Sequence, residues 1–424
     1  MQLLLKNALI IDSGSSHHLS RKDIYIVHGV INKIATDIEV DDSCQIISSP
    51  NLCVSKGWFD LNASIPDPGF EQREDLVSAA KSAASGGFTC VAMMPNTQPS
   101  IHSKTEIEYI NNKSLGTIVN FYPIGAITRH TAGKDLTEMH DMYESGAIAF
   151  SDGNHAIQNS GLLLRSLEYV KAFEGIIFHH PEDESISQKG HIHEGPMSIQ
   201  LGLHASPAIA ESACVARDIH LLEYTQSRLH FIDISTKESV DLIRKAKAQG
   251  LQVSASVNAY NLFMNADSLI SFDSNLKVNP PLRDIADIEA LIEGIKDGTI
   301  DTICSAHQPL DEECKNLEFD LADYGMIGFE TCFAITNSVL REQLSTEQIV
   351  ALFTSGAEKV IGDYCYSIEE NSNACMSIFD PEKRWVFNDS HIHSKSKNTP
   401  FIGFDFVGKV IGIINKRKLH LNDQ

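Results

Sequence analysis

Residues 58–69 read Trp58-Phe59-Asp60-Leu61-Asn62-Ala63-Ser64-Ile65-Pro66-Asp67-Pro68-Gly69, a largely apolar run that breaks into polar residues, two prolines and a glycine. Such a run fits a strand buried in a parallel sheet, with Pro and Gly marking the loop that opens at its end. Downstream the pattern repeats. Strand-like runs at 88–94, 117–126, 147–150, 175–180, 228–235, 251–257 and 301–306 alternate with helical stretches near 103–113, 134–145, 161–173, 236–249 and 284–297. Alternation of this kind predicts βα units, and eight of them close into a barrel whose chemistry sits at the C-terminal ends of the strands.

Outward from the barrel the texture changes. Residues 1–55 carry short β-type runs broken at Ser13–Gly14 and His28–Gly29, and short strand-like runs return at 375–380, 384–388 and 405–414. The expected architecture is an α/β chain: a (β/α)8 TIM barrel over residues 56–365, with residues 1–55 and 366–424 completing one small β-sandwich domain from both termini. The pair Gly86–Gly87 between a helix and a strand reads as a helix C-cap. No phosphate-cradling GxGxxG or Walker pattern follows it, and no Gly-x-Ser-x-Gly elbow is present.

Composition narrows the partners. Thirty-four Lys+Arg against 56 Asp+Glu give a net charge of −22, which repels nucleic-acid phosphates and anionic membrane surfaces. The start lacks a basic segment followed by a long apolar one, and no stretch approaches the about 20 apolar residues of a membrane span, so the expectation is a cytoplasmic protein. The nine cysteines form no CxxC pair and read as reduced thiols, with Cys90 and Cys304 as core fillers.

The 58–69 segment, Met94-Pro95-Asn96-Thr97, Tyr122-Pro123-Ile124-Gly125, Phe150-Ser151-Asp152, His180-Pro181-Glu182-Asp183, Lys277-Val278-Asn279-Pro280-Pro281, Gly328-Phe329-Glu330-Thr331 and Ser394-Lys395-Ser396-Lys397-Asn398 occur in order along the chain. Together they resemble the dihydroorotases of the multifunctional-complex type, in the amidohydrolase superfamily. The resemblance implies interconversion of dihydroorotate and carbamoyl aspartate on one or two zinc ions. These would be held by an HxH pair, a carboxylate or carboxylated lysine, two further histidines and an aspartate that also moves the proton.

Carried onto this chain, that ligand set is altered. The HxH positions are Asn62 and Ser64, poor zinc ligands beside imidazole. The carboxylate position falls on Gly153, or on Asp152 after a one-residue slip. His180 is retained, a further histidine position falls on Asp233, and the catalytic aspartate is Ala306. His230, three residues before Asp233, belongs on the other strand face. The arginine and histidine that would clamp the substrate carboxylate are Pro66 and Leu310, a loss of roughly 1.5–3 kcal/mol for each charge-assisted hydrogen bond. Asn96 and Asn279 stand as binding remnants or as turn residues. Around 258–261 the family's imidazoles are replaced by Asn258-Ala259-Tyr260-Asn261.

Two functional expectations follow. The first is a catalytically inactive homologue in pyrimidine biosynthesis, with no cofactor, a structural or regulatory role, and aspartate transcarbamoylase or a second copy of the chain as partner. The alternative is an active dihydroorotase, or another cyclic amidohydrolase, on a reduced site with at most one weakly held zinc at His180, Asp233 and Asp152. Whether the chain is an enzyme is left open between them. His191-Ile192-His193 and His391-Ile392-His393 read as solvated loop histidines rather than metal pairs, as do His17 and His18. His179 points away from the barrel interior if His180 points in, and Lys277 and Arg283 read as cations solvated or salt-bridged near the mouth.

Overall fold

The computed structural model describes residues 2–422. Parallel strands Trp58–Ala63, Phe88–Met93, Asn120–Pro123, Ile177–His179, Leu229–Phe231, Val253–Asn258 and Thr302–Cys304 form the barrel wall. Phe150 fills the remaining place by bridging to Gly125 on one side and Ile177 on the other, and a bridge between Ala63 and His307 closes the circle. Every residue of the first two strands is buried, as a sheet covered on both faces requires.

The run at 147–150 was expected to be a full strand and is only an extended bridge. It is nonetheless held on both sides, Gly125 N donating to Ala149 O at 3.0 Å and Phe150 N to Ile176 O at 3.1 Å. The helix expected over 134–145 shrinks to Met139–Glu144, because Thr137 is drawn out of helical register to donate its Oγ1 to Ala126 O at 2.7 Å.

The helices after the strands start where the sequence supplies caps. Asp75 accepts from the backbone N–H groups of Val77 and Ser78 at the head of Leu76–Ser85, and Ser103 caps Lys104–Lys113. Gly86 ends the first of these helices. Gly87 then adopts φ +92°, and a Cβ there would lie 2.5 Å from the Trp58 ring.

Both ends of the chain share one eight-stranded sheet. Strands Gln2–Ile11, Arg21–Val27, Val30–Ala35, Gln45–Ile47 and Cys53–Lys56 join Met376–Val386, Asp405–Asn415 and Lys418–Leu421 through the antiparallel pairing of Cys53–Lys56 with Met376–Phe379. The two runs expected at 375–380 and 384–388 are one strand. Pro381 falls in the register shift between Asp380 and Arg384, where its missing N–H leaves no ladder bond unmade. No helix among the described residues is long and apolar enough to cross a membrane.

Candidate functional site at the barrel mouth

At the C-terminal ends of the strands the residues expected at the metal site form a hydrogen-bonded chain. Asn62, next to last in its strand, donates from Nδ2 to Asp233 Oδ1 at 2.7 Å. Asp233 lies just beyond Leu229–Phe231 with φ +61°, and its Oδ2 sits 3.0 Å from Nδ1 of His180. The other ring nitrogen of His180 is 3.5 Å from Glu182 Oε2, which also accepts from Asn279 Nδ2 at 3.0 Å.

Electrostatics bias the protonation of this hydrogen-bonded chain. Burial alone would keep the His180 imidazole neutral, but hydrogen bonds and charge from Asp233 and Glu182 outweigh it and push its pKa up to about 10. Burial would likewise raise Glu182, yet His180 holds it down to about 2. The two carboxylates thus favour the protonated form of His180, whose Nε2 also lies 3.3 Å from Asn279 Nδ2.

The remaining expected positions do not join this cluster. Asp152 turns to the neighbouring loop, accepting Thr128 N at 2.9 Å and the Thr128 hydroxyl, so the one-residue slip that would have made it a ligand is not realised. Gly153 has φ +62°, and a Cβ there would fall 1.6 Å from Asn96 Oδ1. Asn96 itself donates to Asp152 O at 3.1 Å and accepts from Asn154 N at 3.2 Å, a loop clasp. Ser64 N donates to His307 O at 2.8 Å. Ala306 brings no polar side-chain atom, and Pro66 accepts from Phe70 N through its carbonyl at 2.8 Å. Leu310 is buried and, with His180, Glu182, Asn279, Gln308 and Tyr324, lines a cavity of about 420 Å³.

The donor set is a poor fit for a zinc ion: Asn62 and Ser64 are neutral groups where imidazole is needed, Asn62 turns its amide N–H to Asp233, and Ala306 offers no ligand atom. Among the described residues, the one group of His, Cys, Asp and Glu whose ligand atoms converge is His179, Cys214 and Asp218. Cys214 and Asp218 belong to the helix Ile209–Thr225, and His179 ends the strand that precedes His180. Ile157 N donates to His179 Nε2 at 2.9 Å, His179 Nδ1 donates to Asp218 at 2.7 Å, and the Arg217 guanidinium sits 2.7 Å from Asp218. A cation is already in place there, and His179 does point away from His180.

Several expectations about cations and histidines are corrected. Lys277 and Arg283 are buried rather than solvated, and of the two the salt bridge expected as the other alternative is found at Arg283, 3.8 Å from Glu211. Lys277 Nζ donates to Asp320 O at 2.9 Å and lies over the Tyr324 ring, while Arg283 donates to Ser235 Oγ and Ser206 O, both at 3.0 Å, beside Glu211. His191 and His193 are no solvated loop pair, since His193 is a buried strand residue 3.3 Å from Arg283 and His191 contacts the Tyr324 hydroxyl at 2.9 Å. His391 packs edge-on against Trp385, and His18 pairs with Glu347 at 3.0 Å. His230 is fully buried between Ser254 and Ser256 on the face away from Asp233.

Sequence reasoning gave Glu182 no role, although its place two residues after His180 was a usable signal. It also passed over Asp60, which is buried, accepts from Ser305 N at 3.1 Å and has a pKa raised to about 6 by burial.

Comparison with known proteins completes the picture. A family model described as dihydro-orotase-like matches residues 53–239. A dihydroorotase of Pelotomaculum thermopropionicum is 39% identical over 405 residues, covering 95% of this chain and 94% of its own. One from Caldicellulosiruptor saccharolyticus is 38% identical over 425 residues, covering 99% of each. Among solved structures, the L-hydantoinase (dihydropyrimidinase) of Arthrobacter aurescens superposes with a TM-score of 0.84 at 22% identity, covering 98% of this chain and 95% of its own. The dihydropyrimidinase of Brevibacillus agri gives 0.83 at 19%, covering 99% and 95%. At those identities the superpositions speak for the fold.

Proposed function

This chain belongs to the dihydroorotase family, and on that premise we propose that it serves pyrimidine biosynthesis as a member without metal-driven hydrolysis, in a structural or regulatory role. What supports the reading is the hydrogen-bonded chain Asn62–Asp233–His180–Glu182, which engages the donors and acceptors a zinc ion would need. Ala306, in the place of the proton-moving aspartate, brings no group able to take a proton from an attacking water. With Pro66 and Leu310 at the two clamping positions, no guanidinium or imidazole from those positions meets a dicarboxylate. A cytoplasmic location and association with aspartate transcarbamoylase, or with a second copy of the chain, belong to this reading.

A second reading has its own support, and the comparisons favour it over the first. The relatives that align over nearly the whole chain bear the name dihydroorotase, consistent with an active enzyme that hydrolyses dihydroorotate to N-carbamoyl-L-aspartate, or another cyclic amide, on a reduced site.

Two measurements on the purified full chain separate them: zinc content by atomic emission, and turnover of dihydroorotate with zinc added. The first reading expects substoichiometric zinc and no turnover above buffer. Firmly held zinc with turnover establishes the second. Co-purification from native cells then tests the partner, with aspartate transcarbamoylase expected in the eluate.

A further inference from the structure

Two thiols meet at the floor of the barrel, where the strands begin. Cys365 follows the helix Ser355–Ile361, and Cys375 immediately precedes the strand Met376–Val386. The Cys365 sulfur lies 3.4 Å from the carbonyl oxygen of Cys375, whose own sulfur contacts Thr89 Oγ1 at 3.6 Å. Both line a cavity of about 370 Å³ whose other walls include Tyr364, Tyr366, Lys416 and Arg417. Six of the nine cysteines are buried, whereas these two are partly exposed, so a small solute in the cavity reaches them.

The chain between them is already docked. Ile368 N donates to Asp12 Oδ2 at 2.8 Å, Asn371 N to Ile31 O at 2.7 Å and Ala374 N to Gly29 O at 2.9 Å. The Cys365 sulfur is thus held against the backbone of Cys375, at one cavity, by a loop fixed at its tip and near its end. We propose that Cys365 and Cys375 are an oxidisable pair that hydrogen peroxide converts to a disulfide.

The reaction balances in two steps. Cys365 gives up its proton, its thiolate attacks one peroxide oxygen and breaks the O–O bond, and the leaving hydroxide takes that proton as water, leaving a sulfenic acid; the Cys375 sulfur then displaces the sulfenic hydroxyl, the S–S bond forms, and a second water leaves with the Cys375 proton. Two thiols are oxidised and one peroxide is reduced. The order follows from environment, because the hydrogen bond with Cys365 and burial hold the Cys375 thiol well above the usual thiol range, which makes it the slower nucleophile. The bond would staple the connection between barrel and sheet, restricting the unfolded chain.

The test treats the full chain with peroxide, alkylates the remaining thiols and maps peptides without reduction. The expected result is a linked pair containing Cys365 and Cys375, lighter by two hydrogens, reversed by dithiothreitol and accompanied by a higher thermal midpoint. In Cys375→Ser, dimedone should trap a sulfenic acid at Cys365. Recovery of both cysteines alkylated after peroxide overturns the proposal, as does a linkage of either one to Cys90, which lies beyond Thr89 from Cys375. The wild-type map decides the matter even if the variant fails to fold.

Discussion

Asn62 and Asp233 stand 171 residues apart in the chain and meet at 2.7 Å across the barrel mouth, the amide donating to the carboxylate. That bond completes the acceptor set of Asp233, whose second oxygen faces the His180 imidazolium. Replacing Asn62 with the similarly shaped Leu should leave one buried carboxylate oxygen without a partner. The expected cost is about 1–3 kcal/mol in urea unfolding, and an unchanged midpoint would deny the bond a structural role.

The His180–Glu182 pair sets a pH window. The pKa of His180 is raised from 6.5 to about 10, so its contribution is full below 6.5 and is lost as pH climbs through about 10. Glu182 is lowered from 4.5 to about 2, so its contribution is full above 4.5 and is lost as pH falls through about 2. Urea midpoints measured across pH should therefore show these two groups contributing most between 4.5 and 6.5. In His180→Gln the alkaline decline should flatten; an identical profile in the variant would contradict the assignment.

Gly153→Asp, which installs the carboxylate that the family pattern calls for, should harm the protein. The residue has φ +62°, and its Cβ would meet Asn96 Oδ1. We expect a loss of about 1–3 kcal/mol, partly recovered by adding Asn96→Gly, with no gain in zinc uptake. Full stability with tight zinc would mean the loop accommodates a ligand.

Trp58 joins the barrel to the sheet made by the chain ends. Its ring lies 4.8 Å from Phe333 and 5.2 Å from both Phe353 and Phe379, and its indole N–H donates to Ser55 Oγ. Trp58→Ala should cost about 3–5 kcal/mol by calorimetry or denaturant. A loss below 1 kcal/mol would show that this cluster collapses around the gap.

The barrel was legible because parallel strands buried on both faces write continuous apolar runs, as in Phe88–Met93. The bridge at Phe150 was less so, since its hydrogen bonds come from neighbours distant in sequence rather than from its own pattern. The altered residue types at 62, 64 and 306 were visible by position, but not what they do together. Nothing local shows that Asn62 bonds Asp233, or that Glu182 and Asp233 hold a proton on His180. Lys277 and Arg283 misled for the same reason: sequence gives the charge, while the carbonyls of Asp320 and Ser206 that make burial tolerable are brought by the fold.

The most direct measurement is the protonation of His180 itself, followed by nitrogen-15 NMR of the imidazole, assigned by its disappearance in His180→Gln, at pH 8 with and without excess zinc. The account predicts two protonated ring nitrogens that zinc leaves unchanged. A neutral ring whose resonance moves to a metal-bound position when zinc is added would contradict it.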